Sequence, residues 1–148
     1  MSYLVDTNVL LRSIQKSHPM FQDADAAVKT LLHFGEILYV SSQNFIEFWT
    51  VATRPLASNG LGLTIKQAAH ELNGLKTIFS VLPDTPDILI EWEKLAIQYQ
   101  VQGKQAHDAR LVAAMMVHGV PHLLTFNMDD FKRYADITAV HPTSVVAP

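Results

Sequence analysis

Acidic side chains occur at three separated points of this chain, where a folded sheet and its helices could bring them together. Asp6 directly follows a short apolar run, Glu47 lies within an apolar segment, and Asp108 precedes another one. Carboxylates gathered within a few ångströms cannot all ionise at neutral pH unless a cation offsets their charge. Oxygen-only ligands select Mg²⁺ or Mn²⁺ over zinc or copper. If the three acids meet, the sequence predicts a divalent metal site.

Each acidic residue also has a structural explanation when it is considered alone. Asp6 could cap the helix that follows it, and Asp108 could stabilise the first turn of its own predicted helix. Glu47 lies in a helix predicted to be apolar nearly all round, and a buried carboxylate there could form a salt bridge with Arg54. The metal hypothesis therefore depends on the acids occurring together.

A further polar group follows the final apolar strand that the sequence predicts. Asn127 comes directly after the run ending Thr125-Phe126, and Asp129 and Asp130 follow it. A solvated turn with Asp129 capping a short helix explains these residues without a metal.

Asp108 shares a face of its predicted helix with apolar residues. We therefore expect the Asp108 side chain to point towards the buried side of that helix.

Strand and helix signals alternate over the whole chain and would position these side chains. Apolar runs predict strands at 3–5, 37–40, 81–82 and 122–125. Helical spacing and capping signals predict helices at 21–34, from Ser41 or Ser42 to just before Arg54, at 64–79, 86–99 and 106–118. Such alternation favours a single α/β domain, residues 1–148, whose mainly parallel sheet is covered on both faces. Ligand sites of such sheets lie beyond the carboxyl ends of the strands.

Four segments resemble the PIN-domain nucleases, in particular the VapC-like toxins of type II toxin-antitoxin pairs. The segments are Leu4-Val5-Asp6-Thr7-Asn8-Val9-Leu10, Ser42-Gln43-Asn44-Phe45-Ile46-Glu47-Phe48 with Val51-Ala52-Thr53-Arg54-Pro55, His107-Asp108-Ala109-Arg110-Leu111-Val112-Ala113-Ala114, and Leu124-Thr125-Phe126-Asn127 with Asp130-Phe131. The resemblance covers essentially the whole chain. It implies a three-layer α/β/α sandwich with metal-dependent endoribonuclease activity.

The resemblance also implies roles for individual residues. Asp6, Glu47 and Asp108 become catalytic metal ligands for Mg²⁺ or Mn²⁺. Many relatives have an aspartate where this chain has Asn127, so the fourth ligand is expected to be Asn127, Asp130 or a water. The expected reaction is hydrolysis of an RNA phosphodiester by a metal-activated water.

Partners follow from the same resemblance and from residues near the acidic positions. Asn8, Arg12, Lys104 and Arg110 are candidate contacts to RNA, although a surface Lys or Arg is more often only solvated. We expect a cognate antitoxin protein that inserts a helix or a basic side chain near the acidic cluster, and a homodimer. The alternative is a catalytically weak or inactive PIN-like module that acts by binding a protein or RNA partner.

Composition limits the other classes of protein. The chain has 148 residues and no cysteine, so a disulfide framework is excluded. Its formal charge of −3 disfavours binding of nucleic acid through a broad basic surface. No apolar run is long enough to span a membrane, and the first residues lack the basic region of a signal peptide. We therefore expect a cytoplasmic protein. Phosphatases with an aspartyl nucleophile use a second aspartate that Asp6-Thr7-Asn8 lacks. The sequence therefore favours a nuclease well above such a phosphatase.

Overall fold

The computed structural model describes residues 1–147, which form a parallel sheet with helices on both faces. The strands are β1 (Ser2–Val5), β2 (Ile37–Ser41), β3 (Ser80–Leu82), β4 (His122–Leu124) and β5 (Thr138–Val140). The helices are α1 (Thr7–Ile14), α2 (Phe21–His33), α3 (Ser42–Thr53), α4 (Ile65–Ile78), α5 (Pro86–Gln98) and α6 (Gln105–His118). Each strand pairs with its neighbours in parallel, which confirms the predicted sheet type.

The sheet order is β3-β2-β1-β4-β5, so β1 is the central strand. The chain runs outward from β1 to β2 and β3, and then returns to the other side of β1 to form β4 and β5. Val5 at the end of β1 pairs with Leu124 at the end of β4. The topological switch point of the sheet therefore lies between the carboxyl ends of β1 and β4, where open α/β sheets bind ligands.

Two hydrophobic clusters cover the two faces of the sheet. One contains the buried apolar residues of α1, α2, α3 and α4, and the other contains those of α5 and α6. Consecutive residues of β1 point to opposite faces, since Leu4 belongs to the second cluster and Val5 to the first, and both are fully buried. These layers confirm the predicted α/β/α sandwich.

Local signals located several element ends correctly. Ser41 caps α3 through the Asn44 backbone N–H, and the Asn44 side chain accepts from the Ser41 backbone, which completes a capping box. Thr64 and Gln67 form the same arrangement at the start of α4. Gly119 ends α6 with φ of 67°, a left-handed conformation that favours glycine.

Two elements were given no range from the sequence, and one prediction was wrong. Helix α1 follows Asp6 directly, as the capping alternative for Asp6 implied, and the three-residue strand β5 was missed. Helix α3 is not apolar all round in its setting, because Ile46 is 65% exposed and Glu47 is only half-buried. None of the helices in residues 1–147 combines the length and the hydropathy that crossing a membrane requires.

Candidate metal centre

Asp6 lies at the switch point of the sheet, between the ends of β1 and β4. Its backbone N–H donates to the carbonyl oxygen of Leu124 at 2.9 Å, which extends the pairing of the two strands by one residue. Its side chain caps α1, because Oδ1 accepts from the Thr7 backbone N–H at 2.8 Å. The residue is only 7% exposed. Strand pairing and the helix cap together fix the direction of this carboxylate.

The second oxygen of Asp6 accepts from two side chains, of which the sequence had singled out Asn8 but not Thr125. Oδ2 accepts from the hydroxyl of Thr125 at 2.8 Å and from the amide of Asn8 at 3.1 Å. Burial nevertheless raises the pKa of Asp6 from 3.8 to about 6, and the hydrogen bonds from Thr125 and Thr7 lower it only in part. Repulsion by Glu47 adds to the rise. Desolvation therefore outweighs the hydrogen bonds at this position.

Glu47 projects from α3 towards the same place and is held at both oxygens. Thr7 donates its hydroxyl to Oε2 at 2.9 Å, and Gln43 donates its amide to Oε1 at 2.8 Å. Thr7 is oriented in turn by the amide of Asn44 at 3.1 Å, the residue that completes the cap of α3. Among residues 1–147, Glu47 forms no ion pair, so the alternative of a salt bridge to Arg54 is wrong.

Asp108 lies in the first turn of α6, is half-buried and interacts electrostatically with the other acids. Burial, followed by the negative charges of Asp6, Asp130 and Glu47, raises its pKa from 3.8 to about 7. Arg133 opposes this rise, but less strongly. The structure therefore brings Asp108 within electrostatic range of the other acids that the sequence singled out.

The two residues expected to offer a fourth ligand, Asn127 and Asp130, are both exposed. Asn127 precedes the short 3₁₀ helix Met128–Asp130, and its backbone N–H donates to the hydroxyl of Thr125 at 3.0 Å. Asp130 ends that helix and contributes to the raised pKa of Asp108. Asp129 does not cap a helix as the alternative explanation required, because its carboxylate faces solvent and approaches Lys132 at 3.6 Å.

The chemistry of these donors fits a divalent cation. All of them are oxygen atoms, and within the described chain no Lys or Arg forms an ion pair with Asp6, Glu47, Asp108 or Asp130. Arg133 offsets part of the negative charge at Asp108 without forming an ion pair, and a bound Mg²⁺ or Mn²⁺ would neutralise what remains. The side chains are nevertheless too far apart to bind one ion together. Among residues 1–147, no group of three or more His, Asp or Glu side chains could hold a metal ion in its present arrangement.

The predicted RNA contacts occupy different surroundings. Arg110 lies beside the cluster, with its guanidinium 3.1 Å from Asp84 and 3.2 Å from the amide oxygen of Gln43. Lys104 is exposed just before α6. Arg12 instead donates to Gln15 at 2.7 Å at the end of α1.

Asn8 makes contacts at both ends of its amide. Besides donating to Asp6, its Nδ2 donates to the Thr125 hydroxyl at 3.3 Å, and its oxygen accepts from the Phe126 backbone N–H at 3.1 Å. The side chain thus ties α1 to the segment that follows β4. Asn8 supports the site, and its polar atoms are largely occupied by that task.

Two neighbouring cavities lie on this side of the protein, and one of them is lined in part by Glu47. One, of about 470 Å³, is lined by Glu47, Ile46, Asp84 and their neighbours. The other, of about 430 Å³, is more apolar and is lined by Ile88, Leu89 and Trp92 among others. His107 and Arg110 line both, so the two cavities form a continuous depression that begins at the acidic cluster.

Comparison with known proteins relates the chain to one family and one fold. A family model described as the PIN domain matches residues 3–137. No curated protein matches the sequence significantly. Among solved structures, VapBC2 from Rickettsia felis bound to a promoter DNA fragment matches with a TM-score of 0.73 at 15% identity, covering 95% of this chain and 98% of that chain.

Two further solved structures share the fold. VapBC-1 from nontypeable Haemophilus influenzae matches with a TM-score of 0.72 at 18% identity, covering 97% of this chain and 100% of that chain. A toxin-antitoxin complex from Klebsiella pneumoniae matches with a TM-score of 0.64 at 18% identity, covering 95% and 97%. The likeness extends over nearly the full length of each chain, so it concerns the whole fold.

Proposed function

This chain belongs to the PIN domain family, and we propose that it is a metal-dependent endoribonuclease that acts as the toxin of a toxin-antitoxin pair. The observation that supports the proposal most directly is that Asp6, Glu47 and Asp108 lie within electrostatic range of one another, while no Lys or Arg in residues 1–147 forms an ion pair with any of them. A helix cap or a surface ion pair needs only one carboxylate. Three coupled carboxylates suit a divalent cation.

The proposed reaction is hydrolysis of a phosphodiester bond in RNA. A water adds its oxygen to phosphorus, the bond from phosphorus to the leaving oxygen breaks, and one proton of the water ends on that oxygen. A bound Mg²⁺ or Mn²⁺ would supply Lewis acidity, lowering the pKa of the attacking water and stabilising charge on the phosphate. Asp6, Glu47 and Asp108 would hold the ion, with Asp130 or Asn127 as the fourth ligand.

The other side chains of the site orient these ligands or approach the substrate. Thr7 and Asn8 hold Glu47 and Asp6 through hydrogen bonds. Arg110 and Lys104 are proposed to contact RNA phosphates, because Arg110 lines the depression beside Glu47 and Lys104 is exposed at the start of α6. Arg12 is proposed only as a distant contact, since its guanidinium is engaged with Gln15.

The test compares cleavage of a mixed RNA pool by the wild-type chain, by Asp6→Asn and by Asp129→Asn. Each is assayed with Mg²⁺, with Mn²⁺ and with EDTA. Asp129 is the matched control, because its side chain is 92% exposed and it lies near the cluster without belonging to it. We expect cleavage that EDTA removes, that Asp6→Asn loses by at least about a hundredfold, and that Asp129→Asn retains.

The same experiment tests the alternative of an inactive binding module. If the wild-type chain cleaves nothing under any condition and Mn²⁺ does not raise its melting temperature, the nuclease proposal fails. A ligand that binds only the folded state must raise that temperature, so the melting experiment does not depend on finding the right RNA.

Two substitutions identify the fourth ligand. Asp130→Asn removes a carboxylate that is coupled to Asp108, whereas Asn127→Ala removes an amide that shows no capping bond. We expect Asp130→Asn to weaken Mn²⁺ binding more than Asn127→Ala does, because an anionic oxygen is the stronger ligand for a hard cation. Mn²⁺ binding that neither substitution weakens, with Asp129→Asn also unchanged, would point to a water in that position.

We propose an antitoxin whose segment lies in the depression beside the cluster. The more apolar cavity offers Trp92 and the 66% exposed Leu89, while Glu47 and Asp84 would attract a basic side chain. Coexpression with the product of a neighbouring gene should give a complex that survives purification. Leu89→Asp should break it, and Ile97→Asp, which alters a 72% exposed residue further along α5, should not. An active chain that purifies alone with every neighbouring product would count against an antitoxin.

We also propose that the chain forms a homodimer. Exposed apolar side chains such as Ile65 on α4 and Ile90 on α5 support this, at 64% and 55% exposure. Sedimentation equilibrium of the isolated chain tests it directly. A monomer at all concentrations would refute the dimer and leave the nuclease proposal intact.

A further inference from the structure

The amide of Gln43 joins the two helices that carry Glu47 and Asp108. Its Nε2 donates to Glu47 Oε1 at 2.8 Å and to the backbone carbonyl of His107 at 2.8 Å. Its Oε1 accepts from Arg110 Nη1 at 3.2 Å. The side chain therefore spans from α3 to the first turn of α6.

These three partners determine which way the amide points. A carboxylate and a carbonyl both require the donating nitrogen, and a guanidinium requires the accepting oxygen. The opposite orientation would place oxygen against oxygen twice and nitrogen against the guanidinium. Arg110 is itself held from its other arm by Asp84 at 3.1 Å, so the oxygen of Gln43 faces a fixed donor.

Both amide hydrogens of Gln43 are thus committed to the protein. The group has no donor left for a phosphate or a base, which argues against direct contact with substrate. Its effect must pass through Glu47, whose other oxygen is held by Thr7 at 2.9 Å. Removing Gln43 would leave Glu47 fixed at one oxygen and free to turn at the other.

The bond to His107 concerns the neighbour of Asp108 in the chain. By holding that carbonyl and the Glu47 carboxylate with one nitrogen, Gln43 fixes the start of α6 relative to the functional end of α3. Groups outside the ligand set that orient ligands in this way are worth about 10- to 100-fold in metal affinity or activity.

We infer that Gln43 is a positioning residue, which sets the placement of Glu47 relative to Asp108 for the divalent cation. The inference rests on the proposed function, because it assigns a task within that same site. It differs from the proposal itself in that it names a residue outside the ligand set.

The test uses Gln43→Met, which keeps the length of the side chain and removes its polar atoms, and Gln43→Glu, which keeps an acceptor for Arg110 but cannot donate to Glu47. Gln22→Met on α2 is the matched control, because Gln22 is exposed and lies outside the site. Mn²⁺ affinity is measured from the rise in melting temperature without RNA. Cleavage is then measured as separate kcat and KM values.

We expect both Gln43 variants to bind Mn²⁺ about 10- to 100-fold more weakly than the wild type. Their kcat should fall by a similar factor while KM for RNA changes less, because Gln43 does not bind the substrate itself and Asp84 still holds Arg110. Gln22→Met should match the wild type in both measurements. A wild-type-like Gln43→Glu would overturn the inference, since it would show that a donor to Glu47 is not required.

The remaining outcomes separate this inference from the proposed function. If Gln43→Met lowers only the urea midpoint and leaves Mn²⁺ affinity and kcat unchanged, the residue has a purely structural role and the inference fails alone. If the wild-type chain neither responds to Mn²⁺ nor cleaves RNA, the proposed function and the inference fail together.

Discussion

Replacing Asp6 by asparagine should stabilise the metal-free fold at neutral pH, and the gain should depend on pH. Burial raises the pKa of Asp6 from 3.8 to about 6, so the folded state holds a proton that the unfolded state releases between these values. Stability therefore falls as pH rises through this window, and the full penalty is present above it. At about 1.4 kcal/mol per pKa unit, the ionised carboxylate costs the fold about 3 kcal/mol.

Asparagine cannot ionise, so it lacks this penalty at every pH. It does bring a cost that is independent of pH, because its amide nitrogen would face the Asn8 amide, which donates to this position in the wild type. Losing such a bond costs about 1 kcal/mol. The quantity to compare is the unfolding free energy of Asp6→Asn minus that of the wild type. This difference should be about 1.4 kcal/mol larger at about pH 7.5 than at about pH 5, because the pH-independent cost cancels in the comparison.

Urea unfolding with EDTA at the two pH values measures this quantity, and a single transition is expected if residues 1–148 form one domain. Asp129→Asn is the control, since its 92% exposed side chain should give the same difference at both pH values. A difference for Asp6→Asn that does not change with pH, or that favours the wild type as pH rises, would refute the reasoning.

Adding Mn²⁺ should reverse the order of the two proteins at about pH 7.5. A ligand at a hundred times its Kd stabilises the folded state by about 2.7 kcal/mol, and Asp6→Asn should gain little of this. The gain of the wild type should shrink towards about pH 5, because protons compete for Asp6 and for Asp108, whose pKa is raised to about 7. A substitution that only disturbs the fold would change the unfolding free energy by the same amount with and without Mn²⁺.

Further substitutions test the packing by the urea midpoint. Gly60→Ala should destabilise by about 1–3 kcal/mol, because a Cβ there would lie 1.9 Å from the carbonyl oxygen of Arg54. Gly74→Ala within α4 should instead stabilise by about 1 kcal/mol, since nothing lies within 4 Å of its Cβ position. Tyr134→Phe should be neutral or stabilising by about 1 kcal/mol, because the hydroxyl is buried without a partner in the described residues; a loss of stability would reveal one. Thr64→Ala should cost about 1 kcal/mol through loss of the α4 cap.

The sequence predicted those elements whose signals are local. Ser41 and Thr64 cap helices with side chains three residues apart, and Gly119 ends one with a conformation few other residues adopt. Helix α1 was implied by the capping alternative for Asp6 but given no range, because Asp6-Thr7-Asn8 is also typical of turns and the helix is held by apolar side chains that pack in the core. Strand β5 is as short as β4, but it pairs only with β4 and none of its three residues is fully buried, so it lacks the apolar run that marked β4.

The candidate site was predictable as a set of residue types but not as a network. Asp6, Glu47 and Asp108 were singled out by their place after strands and in helices, and the fold brings them within electrostatic range. Their supports were not visible in the sequence, because the bond from Thr7 to Glu47 spans 40 residues and the bond from Thr125 to Asp6 spans 119. Such contacts depend on strand order, which no local pattern specifies.

Asp6 shows why a structural and a functional explanation of one carboxylate can both hold. The cap was the simpler hypothesis, and its hydrogen bond to the Thr7 backbone is formed. An aspartate that served only as a cap would have its charge stabilised by that bond and by the helix dipole, and its pKa would fall. Here the pKa rises despite further bonds from Thr125 and Asn8, because burial and Glu47 oppose ionisation more strongly. The fold therefore orients this charge and stabilises it only in part, and a bound cation would supply the remainder.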